Sequence, residues 1–198
     1  MYARAVSAAV TPADAAIQPL DLAHVAECMP GLLPEYAVAL AYAAAVCLEE
    51  EGHAAGVQLA VSEQGEPHRR FTLSWPVATE PARRTWADAD EATEQGACAV
   101  AAVLVRAMAD LRVVHRSRRG TGFDYWVGPP GQLEPLFQQK TRLEVSGIRH
   151  ALDDAHVRAR ERQKVGQVLS METAELRPIP RIVVIVDFGM PRSRFRRR

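Results

Sequence analysis

The chain has 198 residues, of which 48% are hydrophobic, so it can form the core of one domain and is not a disordered chain. Its 24 basic residues balance its 24 acidic residues, which excludes a strong overall charge as the means of attracting a nucleic acid or a membrane. The three cysteines are scattered and form no CxxC pair, which argues against a disulfide framework and against a structural zinc site.

The sequence gives no sign of a targeting or membrane-spanning segment. Pro12 interrupts the alanine-rich start before a signal sequence can form. Residues 36–48 are apolar over only 13 positions and are followed by three glutamates, so this segment is too short to cross a bilayer. We therefore expect a soluble protein in a reducing cytoplasm, with no membrane partner.

The first part of the chain predicts an arm, a helix and a hairpin. Residues 1–33 show little periodicity apart from a short turn of helix around residues 20–28, and we interpret them as an irregular arm. Residues 34–52 begin with proline, are rich in alanine and end with glycine, a pattern typical of a helix. Residues 56–62 and 71–75 alternate polar and apolar positions, which predicts a β-hairpin. We expect this helix and hairpin, residues 34–75, to be an addition at the edge of a sheet.

The remainder of the chain alternates between helical and strand patterns. Acidic residues followed by apolar positions at helical spacing predict a helix, and β-branched runs bounded by glycine and proline predict strands. The order is helix, strand, strand, strand, helix and strand, at residues 88–111, 113–117, 122–127, 142–148, 153–170 and 181–188. This order predicts a single α/β domain over residues 34–198 with a mixed central sheet flanked by helices, in which residues 88–190 form an αβββαβ core.

Two of the predicted strands carry a carboxylate. Asp124 lies in the segment GFDYWV and Glu144 in the segment RLEVSGI. Two carboxylates from adjacent strands can hold Mg²⁺ or Mn²⁺, and such a centre can hydrolyse phosphodiester bonds when a lysine is nearby. Only two of the basic residues are lysines, Lys140 and Lys164. A lysine in this chain either serves through its compact ammonium group or has survived by chance among arginines.

The order of elements, with an aspartate on the second core strand and a glutamate on the third, resembles the PD-(D/E)XK superfamily of restriction-endonuclease-like nucleases. The resemblance covers residues 88–190. It implies that Asp124 and Glu144 are metal ligands of a catalytic centre that acts on DNA or RNA with Mg²⁺ or Mn²⁺.

One residue departs from the pattern of this superfamily. Ser146 stands where the motif has its lysine. In the superfamily the lysine can come from the following helix, and the corresponding helix of this chain carries Gln163 and Lys164. The resemblance therefore implies that Lys164 and Gln163 assist catalysis. Lys140 is the weaker candidate, because about 13 Å of extended strand separates it from the glutamate.

Further site residues are implied on the two core helices and before the second core strand. The first core helix of the superfamily often supplies another glutamate, and small neighbours favour Glu94 over Glu91 as that third metal ligand. The predicted nucleic-acid contacts are arginines, namely Arg116, Arg118, Arg119, Arg158, Arg162 and those of residues 192–198.

Other interpretations of the same residues stay open. Asp124 can face solvent from an edge strand, and Glu144 can pair with an arginine such as Arg142 or Arg149. The sequence contains no GxxxxGK[ST], GxGxxG or GxSxG motif, so P-loop hydrolysis, dinucleotide binding and α/β-hydrolase chemistry lack their motifs. The alternative function is a catalytically inactive subunit that binds nucleic acid or acts as a scaffold in a larger bacterial complex. A homodimer or a complex with a partner subunit is compatible with either function.

Overall fold

The computed structural model describes residues 17–63, 69–131, 140–170 and 179–198. Within these ranges the chain forms one sheet of eight strands with helices on both faces, so the predicted α/β class with a mixed sheet is confirmed. The strands are β1 (Gln18–Asp21), β2 (Val57–Glu63), β3 (Arg69–Ser74), β4 (Arg112–Arg116), β5 (Tyr125–Gly128), β6 (Thr141–Ile148), β7 (Arg181–Asp187) and β8 (Arg192–Arg197). The helices are α1 (Val25–Cys28), α2 (Pro34–Glu50), α3 (Glu80–Thr85), α4 (Ala89–Ala109) and α5 (Asp154–Ser170). Residues 1–16 of the predicted arm and most of the predicted loop before β6 lie outside the described residues.

The predicted αβββαβ core runs from α4 to β7. The strands β4, β5 and β6 pair antiparallel in chain order, and β7 pairs with β6 in parallel. All seven residues of β7 are buried, because α4 packs over one face of this strand and α5 over the other. Its run of β-branched residues is typical of a strand that is covered on both sides.

The C-terminal arginines form a strand rather than a free basic patch. β8 pairs antiparallel with β7 and in parallel with β2, so it joins the hairpin of β2 and β3 to the core sheet. Phe195 is fully buried, while Arg192 pairs with Asp187 and Arg194 with Glu161. These acids lie on other elements, and the sequence alone could not show that they meet the arginines. Arg192 and Arg194 thus each have an acidic partner within the fold, and the expectation that residues 192–198 contact phosphates stays a prediction.

The helices α2 and α4 pack closely on one face of the sheet. A Cβ atom at Gly96 would lie 2.8 Å from the backbone of Ala44, so the two helix backbones approach each other at this glycine. The helix α4 begins at Asp88, whose carboxylate accepts a hydrogen bond from the N–H of Glu91. It ends at Asp110, which adopts the left-handed conformation with φ of 52°.

Besides β8, the prediction lacks β1 and α3 and contains α1 only as a short helical turn. Residues 17–33 are not irregular, since β1 pairs in parallel with β3 and is followed by a 3₁₀ turn at Leu22–His24 and by α1. The predicted linker holds α3, which Thr79 caps by accepting a hydrogen bond from the N–H of Ala82. All three are too short to leave a periodic pattern. In the described part of the chain, no helix is both long and apolar enough to cross a membrane.

Candidate active site

A notch in the sheet lies where β5 begins, because β6 continues past the first residue of β5. The pairing of β5 with β6 extends only from Thr141 to Leu143, whereas β6 runs on to Ile148 with β7 on its other side. Asp124 lies just before β5, and its backbone N–H donates to the carbonyl of Leu143 (2.9 Å). Its Oδ2 accepts a hydrogen bond from the N–H of Val145 (2.8 Å). The side chain of Asp124 therefore takes the place of the next strand residue and is fixed in the notch.

Glu144 meets Asp124 at this notch. Its side chain lies on the α5 face of β6 and is 6% exposed. Its Oε1 accepts a hydrogen bond from Nζ of Lys164 on α5 (2.7 Å). The carboxyl groups of Glu144 and Asp124 lie close enough for each to influence the ionisation of the other. The fold thus brings together the two predicted carboxylates and the lysine that the sequence places on the following helix.

Burial raises the pKa of both carboxyl groups. Loss of solvent is the largest cause for Glu144 and the charge of Asp124 is the next, and its pKa rises from 4.5 to about 7 although Lys164 opposes the shift. For Asp124, burial raises the pKa while the N–H of Val145 and the charge of Lys164 lower it. Two adjacent, largely buried carboxyl groups cannot both ionise at low cost, so the charge of one disfavours ionisation of the other.

A cleft of about 470 Å³ is lined by Asp124 and Lys164. Asp90, Glu94 and Gln95 of α4 form one wall, and the edge of β6 at residues 145–148 lines the cleft as well. Three arginines also line it, namely Arg116, Arg149 and Arg160. Glu144 is not part of the cleft wall and adjoins it through its contacts with Asp124 and Lys164.

The carboxyl pair fits a hard divalent cation. Mg²⁺ prefers oxygen ligands and is commonly held by one or two carboxylates together with water molecules. Among the described residues, no three His, Cys, Asp or Glu side chains lie close enough together to hold an ion. The predicted third ligand, Glu94, lines the cleft as an exposed residue of α4 and does not complete such a cluster. A cation at this site would therefore depend on Asp124, Glu144 and water.

The two other residues considered for catalysis lie outside this group. Gln163 is exposed on α5 and does not line the cleft. The reason is the helix phase, since Lys164 is the residue of this pair that turns towards the sheet. Lys140 is buried, and its side chain packs against Gly128 at the far end of β5.

Of the five predicted nucleic-acid contacts that precede residues 192–198, one lines the cleft and four lie outside it. Arg116 lines the cleft, with its guanidinium 5.4 Å from the centre of the Tyr36 ring. The other four are exposed and do not line the cleft, namely Arg118, Arg119, Arg158 and Arg162. Arg158 is in addition engaged in an ion pair with Asp154, one turn earlier on α5.

Sequence reasoning missed several cleft residues. Arg160 lies four positions before Lys164 on α5, and Asp90 lies four positions before Glu94 on α4, so helical spacing alone could have indicated both. No sequence signal places Tyr36 beside Arg116, because the two residues belong to elements far apart in the chain.

Comparisons of the chain with protein-family models, with curated proteins and with solved structures found no match. The functional interpretation therefore rests on the geometry of the site itself. That geometry consists of a buried carboxyl pair, an ammonium group within hydrogen-bond distance of it, and a cleft with further cations.

Proposed function

We propose that the chain is a metal-dependent nuclease-like enzyme that hydrolyses phosphodiester bonds in DNA or RNA. The observation that supports this most is the meeting of Asp124, Glu144 and Lys164 at the notch between β5 and β6. The αβββαβ order of the surrounding elements supports the same proposal, because it is the order that PD-(D/E)XK nucleases use to bring such residues together.

In this proposal Asp124 and Glu144 hold Mg²⁺ or Mn²⁺. The bound ion would supply Lewis-acid polarisation of the phosphoryl oxygen and a water of lowered pKa. Lys164 holds its ammonium group at Glu144 and at the wall of the cleft, where it can orient a water or offset negative charge on the phosphate. Arg116 and Arg160 are placed to contact the phosphates of the substrate.

The position of Lys164 bears on the alternative of an inactive subunit. That alternative rests on Ser146, which occupies the position of the motif lysine. The hydrogen bond from Lys164 to Glu144 supplies an ammonium group from α5 and so weakens the reason for preferring it.

Cleavage of labelled single- and double-stranded DNA and RNA, with Mg²⁺ or Mn²⁺ and with EDTA, tests this function. We expect cleavage that requires the metal and that falls by about a hundredfold or more in Asp124→Asn, Glu144→Gln and Lys164→Met. The uncharged replacements keep the size of side chains that are largely buried, so the folded state should persist, and circular dichroism checks that it does.

Gln163→Ala is the matched control for Lys164→Met. It changes the neighbouring residue of α5, which is exposed and outside the cleft, and we expect its activity to equal that of the wild type. If no substrate is cut under any of these conditions, or if cutting survives in both carboxylate variants, the proposed hydrolysis is wrong.

A further inference from the structure

The cations of the cleft differ in whether they already have an acidic partner. Arg149 pairs with Glu50 and Glu51 at the C-terminal end of α2, and Lys164 donates to Glu144. Arg116 and Arg160 make no ion pair with any of the residues that the structure describes. Two of the four cleft cations are therefore available to pair with the phosphates of a ligand.

Arg116 is held at the cleft by a tyrosine network. Its guanidinium packs over the ring of Tyr36, which belongs to the N-terminal helix α2. The Tyr36 hydroxyl lies 3.1 Å from the hydroxyl of Tyr125 and donates to Oε1 of Gln95 (3.3 Å). Tyr125 and Gln95 both line the cleft, so the ring that supports Arg116 is tied to the wall of the site.

The dimensions of the cleft restrict what can reach the carboxyl pair. Glu144 is 6% exposed, and the cleft of about 470 Å³ lies in the range of sites that enclose a ligand of small-molecule size. A double helix is stiff, so one of its nucleotides cannot enter such a cleft unless the duplex is deformed. A single strand can, because its unstacked nucleotides can be splayed apart.

We propose that the cleft binds one nucleotide unit of a single strand, with Arg116 and Arg160 paired to phosphates on either side of it. This inference rests on the proposed nuclease function and names its substrate class. Tyr36 is a positioning residue that holds Arg116 at the cleft and does not itself contact the phosphate.

Binding can be measured by fluorescence anisotropy of a short dye-labelled strand, as DNA and as RNA, and of a blunt duplex of the same DNA sequence. Ca²⁺ replaces Mg²⁺ so that binding is measured without cutting. We expect the full chain to bind the single strand about tenfold or more tightly than the duplex. Arg116→Gln and Arg160→Gln should each weaken single-strand binding about tenfold. Each should also reduce the slope of the logarithm of the binding constant against the logarithm of the salt concentration by about one.

Arg118→Gln and Arg162→Gln are the matched controls, each two positions away and outside the cleft. They should leave the preference for single strands unchanged. Tyr36→Phe keeps the ring under Arg116 and should bind within about twofold of the wild type, whereas Tyr36→Leu should resemble Arg116→Gln. An effect of Tyr36→Leu on folding alone would appear equally in the binding of strand and duplex, and would overturn the positioning role.

The outcomes separate this inference from the proposed function. Equal or tighter binding of the duplex, with cleavage that still requires Asp124 and Glu144, would overturn the substrate class and leave the nuclease function standing. Preferential binding of single strands that are never cut would support the substrate class and refute hydrolysis. If no nucleic acid binds at all, both are wrong.

Discussion

The two faces of the sheet are held by different forces. On one face α2 and α4 pack against the sheet through a large apolar cluster that includes Leu40, Leu104 and Phe195. On the other face the apolar cluster under α5 contains six described residues, namely Ile148, Ala151, Val157, Val165, Val183 and Ile185. On this face α5 also forms ion pairs with β8, in which Asp154 and Glu161 pair with arginines at alternate positions of the strand.

Apolar packing therefore dominates the contacts on the face of α2 and α4, whereas ion pairs have a larger share of the contacts on the face of α5. The arginines of β8 alternate with Ser193 and Phe195, which are buried on the apolar side. Partly exposed ion pairs contribute little net stability, because solvent screens them and desolvation offsets their attraction. The helix that carries Lys164 is thus held by a small apolar cluster together with ion pairs, whereas the larger apolar cluster lies on the opposite face.

The largest effect is expected where the apolar face is most tightly packed. Gly96→Ala places a Cβ atom 2.8 Å from the backbone of Ala44, so α2 and α4 have to move apart. We expect the free energy of unfolding to fall by about 3 kcal/mol, measured by urea denaturation.

The matched substitution on the charged face should have the opposite sign. A Cβ atom at Gly166 of α5 meets no atom within 4 Å, so Gly166→Ala should stabilise the protein by about 0.5 to 1 kcal/mol through helix propensity. Equal effects of Gly96→Ala and Gly166→Ala would contradict the contrast between the two faces.

The next effect comes from the buried carboxyl group at the notch. Because the pKa of Glu144 rises from 4.5 to about 7 on folding, the folded state binds its proton more tightly than the unfolded state. This contribution to stability is fully present when the pH is below the pKa of Glu144 in the unfolded chain. It is lost as the pH rises through the pKa of Glu144 in the folded protein. In EDTA at about pH 8, Glu144→Gln should therefore be more stable than the wild type by about 2 kcal/mol, since losing the bond to Lys164 offsets part of the gain.

The same comparison at about pH 4 is the control, because Glu144 is then protonated in both states and the advantage of Glu144→Gln should disappear. Urea denaturation across this pH range measures both values. An advantage that does not change with pH would mean that the carboxyl group is not held in a desolvated site.

The smallest effect tests the ion pairs of α5. Glu161→Gln removes the acid shared by Arg194 and Arg196 and should lower the free energy of unfolding by about 1 kcal/mol. The loss should shrink in about 1 M NaCl, which screens the pairs. The control is Glu80→Gln, which breaks the exposed pair with Arg84 and should change nothing measurable. If the loss of unfolding free energy in Glu161→Gln were the same at low and at high salt, packing rather than charge would hold α5 on this face.

The sequence predicts the elements that have a strong period or a strong composition. The helix α2 begins with proline and α4 is capped by Asp88, both carry continuous apolar positions, and β7 is an unbroken β-branched run, so these elements lie within a few residues of the prediction. The partners of the most arginine-rich segment could not be predicted, because Arg194 and Arg196 meet Glu161 only through the tertiary fold. A charge pattern in sequence does not show where its partner lies.

The candidate site divides in the same way. The adjacency of Asp124 and Glu144 follows from the order of the strands, and it is predicted from sequence. Asp124 itself lies one residue before β5 rather than inside it, since its side chain replaces the strand pairing. The sequence leaves the choice between Gln163 and Lys164 open, because α5 is polar on most of its surface and only a narrow apolar stripe, with Val157 and Val165, faces the sheet.

The most direct test of the account is whether the carboxyl pair binds a metal and releases a proton in doing so. Titration calorimetry of Mn²⁺ into the full chain near pH 6.5, in two buffers of different ionisation enthalpy, measures both the affinity and the protons released. We predict one bound ion and about one proton released per ion, both lost in Asp124→Asn and in Glu144→Gln. Absence of binding at millimolar Mn²⁺, or binding that is unchanged in both variants, would contradict a metal centre at Asp124 and Glu144.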